Sequence, residues 1–215
     1  MRCFHSSSQH GPDYPLAPGS VLGLSDIGSV IQPADYDKVD ADDYVMYEDG
    51  EKIIFLIKSK TDEYCFTNKA LIHVDGASAV SKKRTLRRFD YSKHPVQDVT
   101  LETAGMVDMD VEIKFSMGEL SYSIDVNKKH IEELKDLYKA LIAIGSIQHE
   151  NAERFQYAQH SLATAATAVN RSSTSSPLEE QFKTINQYAF HWMQQARDTY
   201  VVKDFGAVFE KFIKN

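Results

Sequence analysis

The chain has 215 residues, of which 42% are hydrophobic and 26% are charged, as in an ordinary soluble globular protein. Its 24 basic and 31 acidic side chains give a formal net charge of −7, which disfavours a protein that coats nucleic acid. Two cysteines, Cys3 and Cys65, are too few for the disulfide framework of a small secreted protein, so we expect a cytoplasmic one.

The first fifty residues precede the regular strand pattern. Residues 1–22 contain polar residues where a secretory signal must be apolar, so we expect a disordered leader or extension without a signal peptide. The segment 35–51 carries eight carboxylates against Lys38, interleaved with apolar residues, and could form a short amphipathic helix that Gly50 ends. It is not a calcium loop, because Val39 and Asp40 occupy the positions of a ligand and of the turn glycine.

Strand signals then recur at short spacing, which is typical of an antiparallel barrel or sandwich. Seven strands are predicted, at residues 52–58, 63–67, 70–75, 85–91, 96–103, 108–116 and 120–126. The sixth and seventh alternate apolar and polar residues and are joined by a short loop that contains Gly118, so they should form a hairpin with one buried face.

A helix is predicted directly after the last strand. Asn127 is a suitable N-cap, and Gly145 is a suitable end. Between them an apolar stripe recurs with helical spacing: Ile131, Leu134, Leu137, Tyr138, Leu141 and Ile142. This helix could cover the open end of a curved sheet, so we predict an α+β fold with a domain at residues 23–145.

Four segments resemble the bacterial pleckstrin-homology family, and closely its YvbH-like members. They are Phe-Thr-Asn-Lys at 66–69, Leu-Ile-His-Val-Asp at 71–75, Glu-Thr-Ala-Gly at 102–105 and Asp-Met-Asp-Val-Glu-Ile-Lys at 108–114. The resemblance extends from about Gly23 to the C-terminus. It implies a pleckstrin-homology-like barrel or sandwich of seven antiparallel strands, a capping helix, a C-terminal helical oligomerisation region, multimeric assembly and no known enzymatic activity.

Residues 146–215 predict a helical oligomerisation region. Apolar residues recur every three or four positions over 155–169 and 182–196, on either side of a polar connection at 171–177, which indicates a helical hairpin. Each apolar seam is too short for a free coiled coil, so the hairpin should pack on its own β domain or on another subunit. The candidate oligomerisation residues are Phe155, Leu162, Phe182, Ile185, Trp192, Phe205, Phe209 and Phe212.

A basic run lies between the third and fourth predicted strands. It comprises Lys82, Lys83, Arg84, Arg87, Arg88 and Lys93. One interpretation is a site for an anionic headgroup or an acidic partner. The other is a solvated strand edge whose charges prevent aggregation.

The sequence shows no pattern that supports catalysis or metal binding. It lacks the nucleophile elbow, the phosphate-binding glycine loop and the zinc-protease motif, and its eight histidines have no zinc-site spacing. We therefore expect a non-enzymatic, self-assembling scaffold without cofactor or metal, a homo-oligomer that does not bind nucleic acid and whose protein partner is unknown. The alternative is a peripheral membrane protein that binds anionic lipid through residues 82–93.

Overall fold

The computed structural model describes residues 26–76, 83–103, 109–169 and 177–214. These ranges contain eight strands: β1 Ser29–Val30, β2 Ile53–Lys58, β3 Glu63–Thr67, β4 Ala70–Gly76, β5 Arg84–Asp90, β6 Val96–Glu102, β7 Asp110–Met117 and β8 Leu120–Asn127. They also contain the helices α1 Ile131–Val169, α2 Leu178–Tyr200 and α3 Gly206–Phe212. The predicted leader at 1–22 lies outside the described residues.

The strands form two antiparallel sheets. Five strands are ordered β1-β2-β3-β4-β5, and three are ordered β6-β7-β8. The sheets are linked where Gly28 donates a hydrogen bond to the carbonyl of Asp125 and accepts one from the backbone of Asn127. The seven predicted strands are all present; β1 was missed because two residues are too short to show a period of two.

The hairpin β7–β8 forms as predicted. Its residues pair in continuous register from Asp110 opposite Asn127 to Met117 opposite Leu120. Along β7 exposure alternates strictly, with Val111 and Phe115 among the side chains that point into the core. The other face of β7 is polar, so the sheet has one buried and one wet face.

Strand β2 has no such alternation, because both of its faces are covered. All residues from Ile53 to Ile57 are buried. One face joins the main core between the sheets and α1, and the other contributes Ile53 and Leu56 to a second cluster with Val39, Ala41 and Val45.

The acidic segment covers that second face, although it is not the amphipathic helix we predicted. It forms three short 3-10 helices, at Pro33–Lys38, Asp40–Tyr44 and Tyr47–Asp49, and Gly50 follows with a left-handed φ of 71°. Buried Glu63 accepts a hydrogen bond of 2.7 Å from the backbone N of Ala41. Contacts to the sheet, rather than helical periodicity, set the conformation of this segment.

Helix α1 starts where the sequence predicts but does not end there. The side chain of Asn127 accepts a hydrogen bond from the backbone N of Lys129, followed by one 3-10 turn and then by α1. The prediction that the helix ends at Gly145 is wrong, since α1 continues to Val169. A Cβ at Gly145 would lie 2.5 Å from the carbonyl O of Val96, so this glycine permits close approach to β6 rather than ending the helix.

Candidate functional site

The second half of α1 and α2 form the predicted helical hairpin. The indole Nε1 of Trp192 donates a hydrogen bond of 3.4 Å to the carbonyl O of Ala158. Ala196 of α2 is buried, while Phe155 and Leu162 of α1 are half-buried. Both predicted oligomerisation residues of α1, Phe155 and Leu162, are thus partly covered within one chain.

Much of the apolar surface of α2 faces solvent in a single chain. Leu178 is 83% exposed, Phe182 71% and Phe190 62%. The facing part of α1 is rich in alanine, which covers little surface. We call this apolar set the hairpin surface, and its members are Tyr157, Leu178, Phe182, Ile185, Tyr188, Phe190 and Trp192.

All α2 members of the hairpin surface except Phe190 lie within about 120° of one another around the helix, on the side that also carries buried Ala196. Successive residues of an α-helix turn by about 100°, so Tyr188 and Phe190 point about 200° apart. The ring of Tyr188 stacks on Trp192, with centroids 6.5 Å apart. Phe190 therefore points away from α1, whereas Leu178 and Phe182 lie on the side towards α1 and are still 83% and 71% exposed.

The three predicted oligomerisation residues beyond α2 lie elsewhere. Phe205 and Phe209 are buried in the main core, and both rings contact Tyr91, at centroid distances of 5.8 and 5.9 Å. Phe212 is half-buried against the same core. In a single chain Phe205 and Phe209 are therefore buried and form no exposed surface, and their predicted part in oligomerisation stays a prediction.

Asn68 connects the tail to the β domain. Its carbonyl O accepts a hydrogen bond of 2.7 Å from the backbone N of Phe205, and its Nδ2 donates one of 2.6 Å to the carboxylate of Asp204. Its Oδ1 also accepts a hydrogen bond from the backbone N of Lys52. The sequence marked 66–69 only through the family resemblance and turn chemistry, and nothing in the pattern indicated a partner 136 residues away.

The basic run lies on β5, the outer strand of the five-stranded sheet. Lys82 falls outside the described residues, and Lys83 is exposed just before β5. The other members face carboxylates of the same chain: Arg84 with Asp40, Arg87 with Asp75, Arg88 with Glu51 and Asp90, and Lys93 with Asp90. Four basic groups therefore face four acidic ones, which reduces the attraction of this strand for an anion.

The pair of Arg88 and Glu51 is the most buried of these contacts. The guanidinium donates two hydrogen bonds, of 3.0 and 3.1 Å, to the Glu51 carboxylate. Burial alone would raise the pKa of Glu51, but hydrogen bonds from Arg88, Thr67 and the backbone N of Met46 lower it below its usual value. Burial likewise opposes the charge of Arg88, while hydrogen bonds to Glu51 and Asp90 raise the pKa of the guanidinium.

The described residues contain no group of three or more metal-ligating side chains that could hold an ion. The carboxylates Asp110 and Glu112 belong to the polar, solvent-facing side of β7. None of the helices in the described parts of the chain is long and apolar enough to cross a membrane.

A two-sheet β domain with a helix against it and a helical extension defines a pleckstrin-homology protein with a C-terminal helical region. A model of the bacterial PH domain matches residues 21–144, and a model of the YvbH-like oligomerisation region matches residues 156–215. The chain therefore belongs to the bacterial PH domain family and carries a YvbH-like oligomerisation region. Neither family description names a catalytic activity.

Known proteins support this assignment over most of the chain. The uncharacterized protein YvbH of Bacillus subtilis (strain 168) is 55% identical over 195 residues, which are 90% of this chain and 96% of YvbH. The crystal structure of a PH-domain-containing bacterial protein from Exiguobacterium sibiricum 255-15 is 50% identical, with a TM-score of 0.82 over 88% of this chain and 100% of that chain. A weaker similarity, 19% identity and a TM-score of 0.43 over 55% of this chain and 97% of that chain, is to the crystal structure of a DUF1696 family protein with a pleckstrin-homology domain from Shewanella loihica PV-4, and the assignment does not rest on it.

Proposed function

We propose that this chain is a non-enzymatic, cytoplasmic protein-interaction module that assembles with copies of itself through the hairpin surface. The observation that carries the proposal is the exposure of large apolar side chains along the whole length of α2. Extended apolar patches of this kind on soluble proteins mark interaction sites. The YvbH-like oligomerisation region, matched over residues 156–215, covers all of α2 and supports the same function.

Self-association is favoured over capture of an unrelated partner for a physical reason. Every copy of the chain exposes the same apolar surface, so a matching surface on another copy is always available. Identical chains commonly bury such surfaces by assembling with closed symmetry. Aromatic side chains such as Phe182, Tyr188 and Phe190 are the residue types that dominate binding energy at interfaces.

Light scattering on the full chain tests the proposal. The wild type is expected to have a mass that is a multiple of 24.3 kDa at micromolar concentration. The double substitution Phe182→Gln and Phe190→Gln should lower that mass. Both side chains are exposed in a single chain, so their loss should leave the hydrophobic core of each chain intact. Gln187→Ser, an exposed polar substitution on the same helix, is the control. A wild type that runs as a 24.3 kDa monomer would contradict self-assembly.

Binding of anionic lipid through the basic run is the weaker alternative. It would require residues 82–93 to present unbalanced positive charge, whereas Arg84, Arg87, Arg88 and Lys93 each have a carboxylate within 3.5 Å. Strand-edge protection accounts for the same residues, since β5 is the outer strand of its sheet.

A further inference from the structure

The C-terminal tail, residues 201–214, binds the β domain as a short peptide binds a groove. Its first five residues form neither helix nor strand, and α3 follows with only seven residues. The tail contacts α1 and β2, and it hydrogen-bonds to the turn that contains Asn68. We call this surface the tail groove.

Two aromatic side chains anchor the tail in the groove. Phe205 and Phe209 are one helical turn apart and are 1% and 0% exposed, and both pack against Tyr91. Each anchor therefore removes its whole aromatic surface from water when the tail docks. These anchors give the groove an apolar floor that accepts a Phe-x-x-x-Phe pattern.

Polar contacts restrict the sequence that the groove accepts. Asp204 accepts hydrogen bonds from Asn68 Nδ2 and from the backbone N of Gly206, and Glu210 pairs with Lys52 at 2.5 Å. A Cβ on Gly206 would lie 3.4 Å from the Cβ of Asn68 and 3.0 Å from a carboxylate oxygen of Asp204. The segment Asp-Phe-Gly-x-x-Phe-Glu is thus matched to the groove along its length.

The connection between α2 and the docked tail is irregular and only partly packed, with Val201 and Val202 half-buried and Val202 in contact with the main core. Val201 and Val202 line two open cavities, of about 380 and 260 Å³, one on the side of Arg197 and one next to Phe155. Residues 201–204 lack helix or strand structure, and Lys203 and Asp204 are exposed, so the chain can change direction here without breaking a helix or a strand.

We propose that the tail groove is a docking site for the tail of a second copy of this chain, which replaces the chain's own tail when copies assemble. This inference rests on the proposed self-assembly through α2. The tail begins where α2 ends, so an α2 that packs on another subunit carries the tail towards that subunit. When identical chains exchange tails, every groove stays filled and makes the same contacts as before. Exchange is therefore a way to link subunits at little cost in free energy.

The pair of Lys52 and Glu210 provides a direct test. A carbodiimide joins an amine and a carboxylate that are in contact, and these two groups are 2.5 Å apart and exposed. Two full-length chains are co-expressed with different tags, one with Lys52→Arg and the other with Glu210→Gln. Neither variant can form the Lys52–Glu210 link within itself, so a link found by mass spectrometry must join two chains.

We expect the link in the wild type and in the mixed assembly. If the two variants are present in equal amounts, pair at random and exchange every tail, the cross-linked product should reach about one quarter of the wild-type yield. Half of the grooves carry Lys52, and half of those are filled by a tail that carries Glu210. The α1 pair of Lys139 and Asp136, 2.8 Å apart, should react equally in all samples and serves as the control.

The outcomes separate this inference from the proposed function. A mixed assembly that carries both tags but lacks the link means that tails stay on their own β domains, which would overturn tail exchange and leave assembly intact. Wild-type protein that is monomeric by light scattering would overturn both.

Discussion

Asn68 is the residue that joins three separate parts of the chain. Asn68 itself lies in the turn between β3 and β4. It hydrogen-bonds to Lys52, directly before β2, and to Phe205 and Asp204 of the tail. A buried polar side chain with several hydrogen bonds is costly to remove, because the partly buried groups that it contacts lose a partner.

Asn68→Ala should therefore weaken the docking of the tail, although the backbone hydrogen bond from Phe205 to residue 68 remains. We expect the free energy of unfolding to fall by about 1–3 kcal/mol. Cleavage by a protease within residues 201–205 should become faster, since the tail spends more time undocked. Urea unfolding and limited proteolysis measure the two effects. Asn186→Ala, at an exposed site of α2, is the control and should change neither.

The carboxylate of Glu51 should make stability depend on pH in the acid range. Its pKa is lower in the folded chain than in the unfolded one, so the unfolded state binds more protons. The stability that it contributes is present above the usual glutamate pKa of about 4.3 and is lost as the pH falls through the lower folded value.

Glu51→Gln tests this dependence. At pH 7 the variant should be less stable than the wild type, because Arg88 loses a charged partner in a buried site. The difference should narrow as the pH falls below about 4.3, where the carboxylate of the unfolded wild type becomes protonated while that of the folded chain is still charged. Thermal unfolding between pH 3 and 7 measures it. A difference that is constant with pH would contradict this role, and Glu119→Gln, at an exposed position, is the reference.

At the scale of elements, Gly145 shows how a correct pattern gave a wrong helix end. Glycine after an apolar stripe commonly ends a helix. Here it lies inside α1, where it lets the helix approach the backbone of β6 at Val96. A pattern in one segment cannot show the approach of another, so the sequence could not distinguish the two uses of glycine.

Gly145→Ala should destabilise the protein. In an exposed helix interior the same change stabilises by about 0.5–1 kcal/mol. At this position the new Cβ would meet a backbone carbonyl at 2.5 Å, and neither backbone can move without disturbing the core. Ser146→Ala, at the next and exposed residue, should be neutral or slightly stabilising. Urea unfolding of both variants gives the comparison, and a more stable Gly145→Ala would show that α1 can shift.

The elements differ in how well the sequence predicted them, for reasons that can be named. Strands β7 and β8 were clear because one wet face enforces alternation. The acidic segment was not, because its 3-10 helices depend on contacts such as Ala41 with Glu63. The hairpin surface was partly predicted from spacing, whereas the burial of Phe205 and Phe209 depends on Tyr91, more than a hundred residues earlier. The pattern indicated that these residues are apolar and could not indicate which surface covers them.

At the scale of the whole molecule, charge argues against attachment to anionic membranes. The chain carries a net charge of −7, and the described basic groups of β5 are balanced by nearby carboxylates. We expect no flotation with phosphatidylserine vesicles, even at low salt where attraction is strongest. Charge reversal at Arg84 and Arg87 should then make no difference. Salt-sensitive flotation of the wild type that this variant loses would instead establish the membrane alternative.

The division of the chain into domains also changes once the tail is included. The sequence predicts a domain boundary near residues 145–148, and the family models likewise leave 145–155 between them. Yet α1 runs through this boundary without a break, and Phe205, Phe209 and Ile213 belong to the core of the β domain. A fragment that ends at 145 lacks these three buried side chains.

We therefore expect fragment 23–145 to be less stable than the full chain, although its sheets contain all the strands. Without the tail, Tyr91 and the surrounding apolar groove are exposed, and loss of even one buried phenylalanine typically costs about 3–5 kcal/mol. Full-length protein with Phe205→Ala and Phe209→Ala reproduces the loss without truncation and is the matched control. Circular dichroism and urea unfolding compare the three proteins. A fragment as stable as the full chain would show that the tail groove closes on its own, and that the boundary near 145 separates independent units.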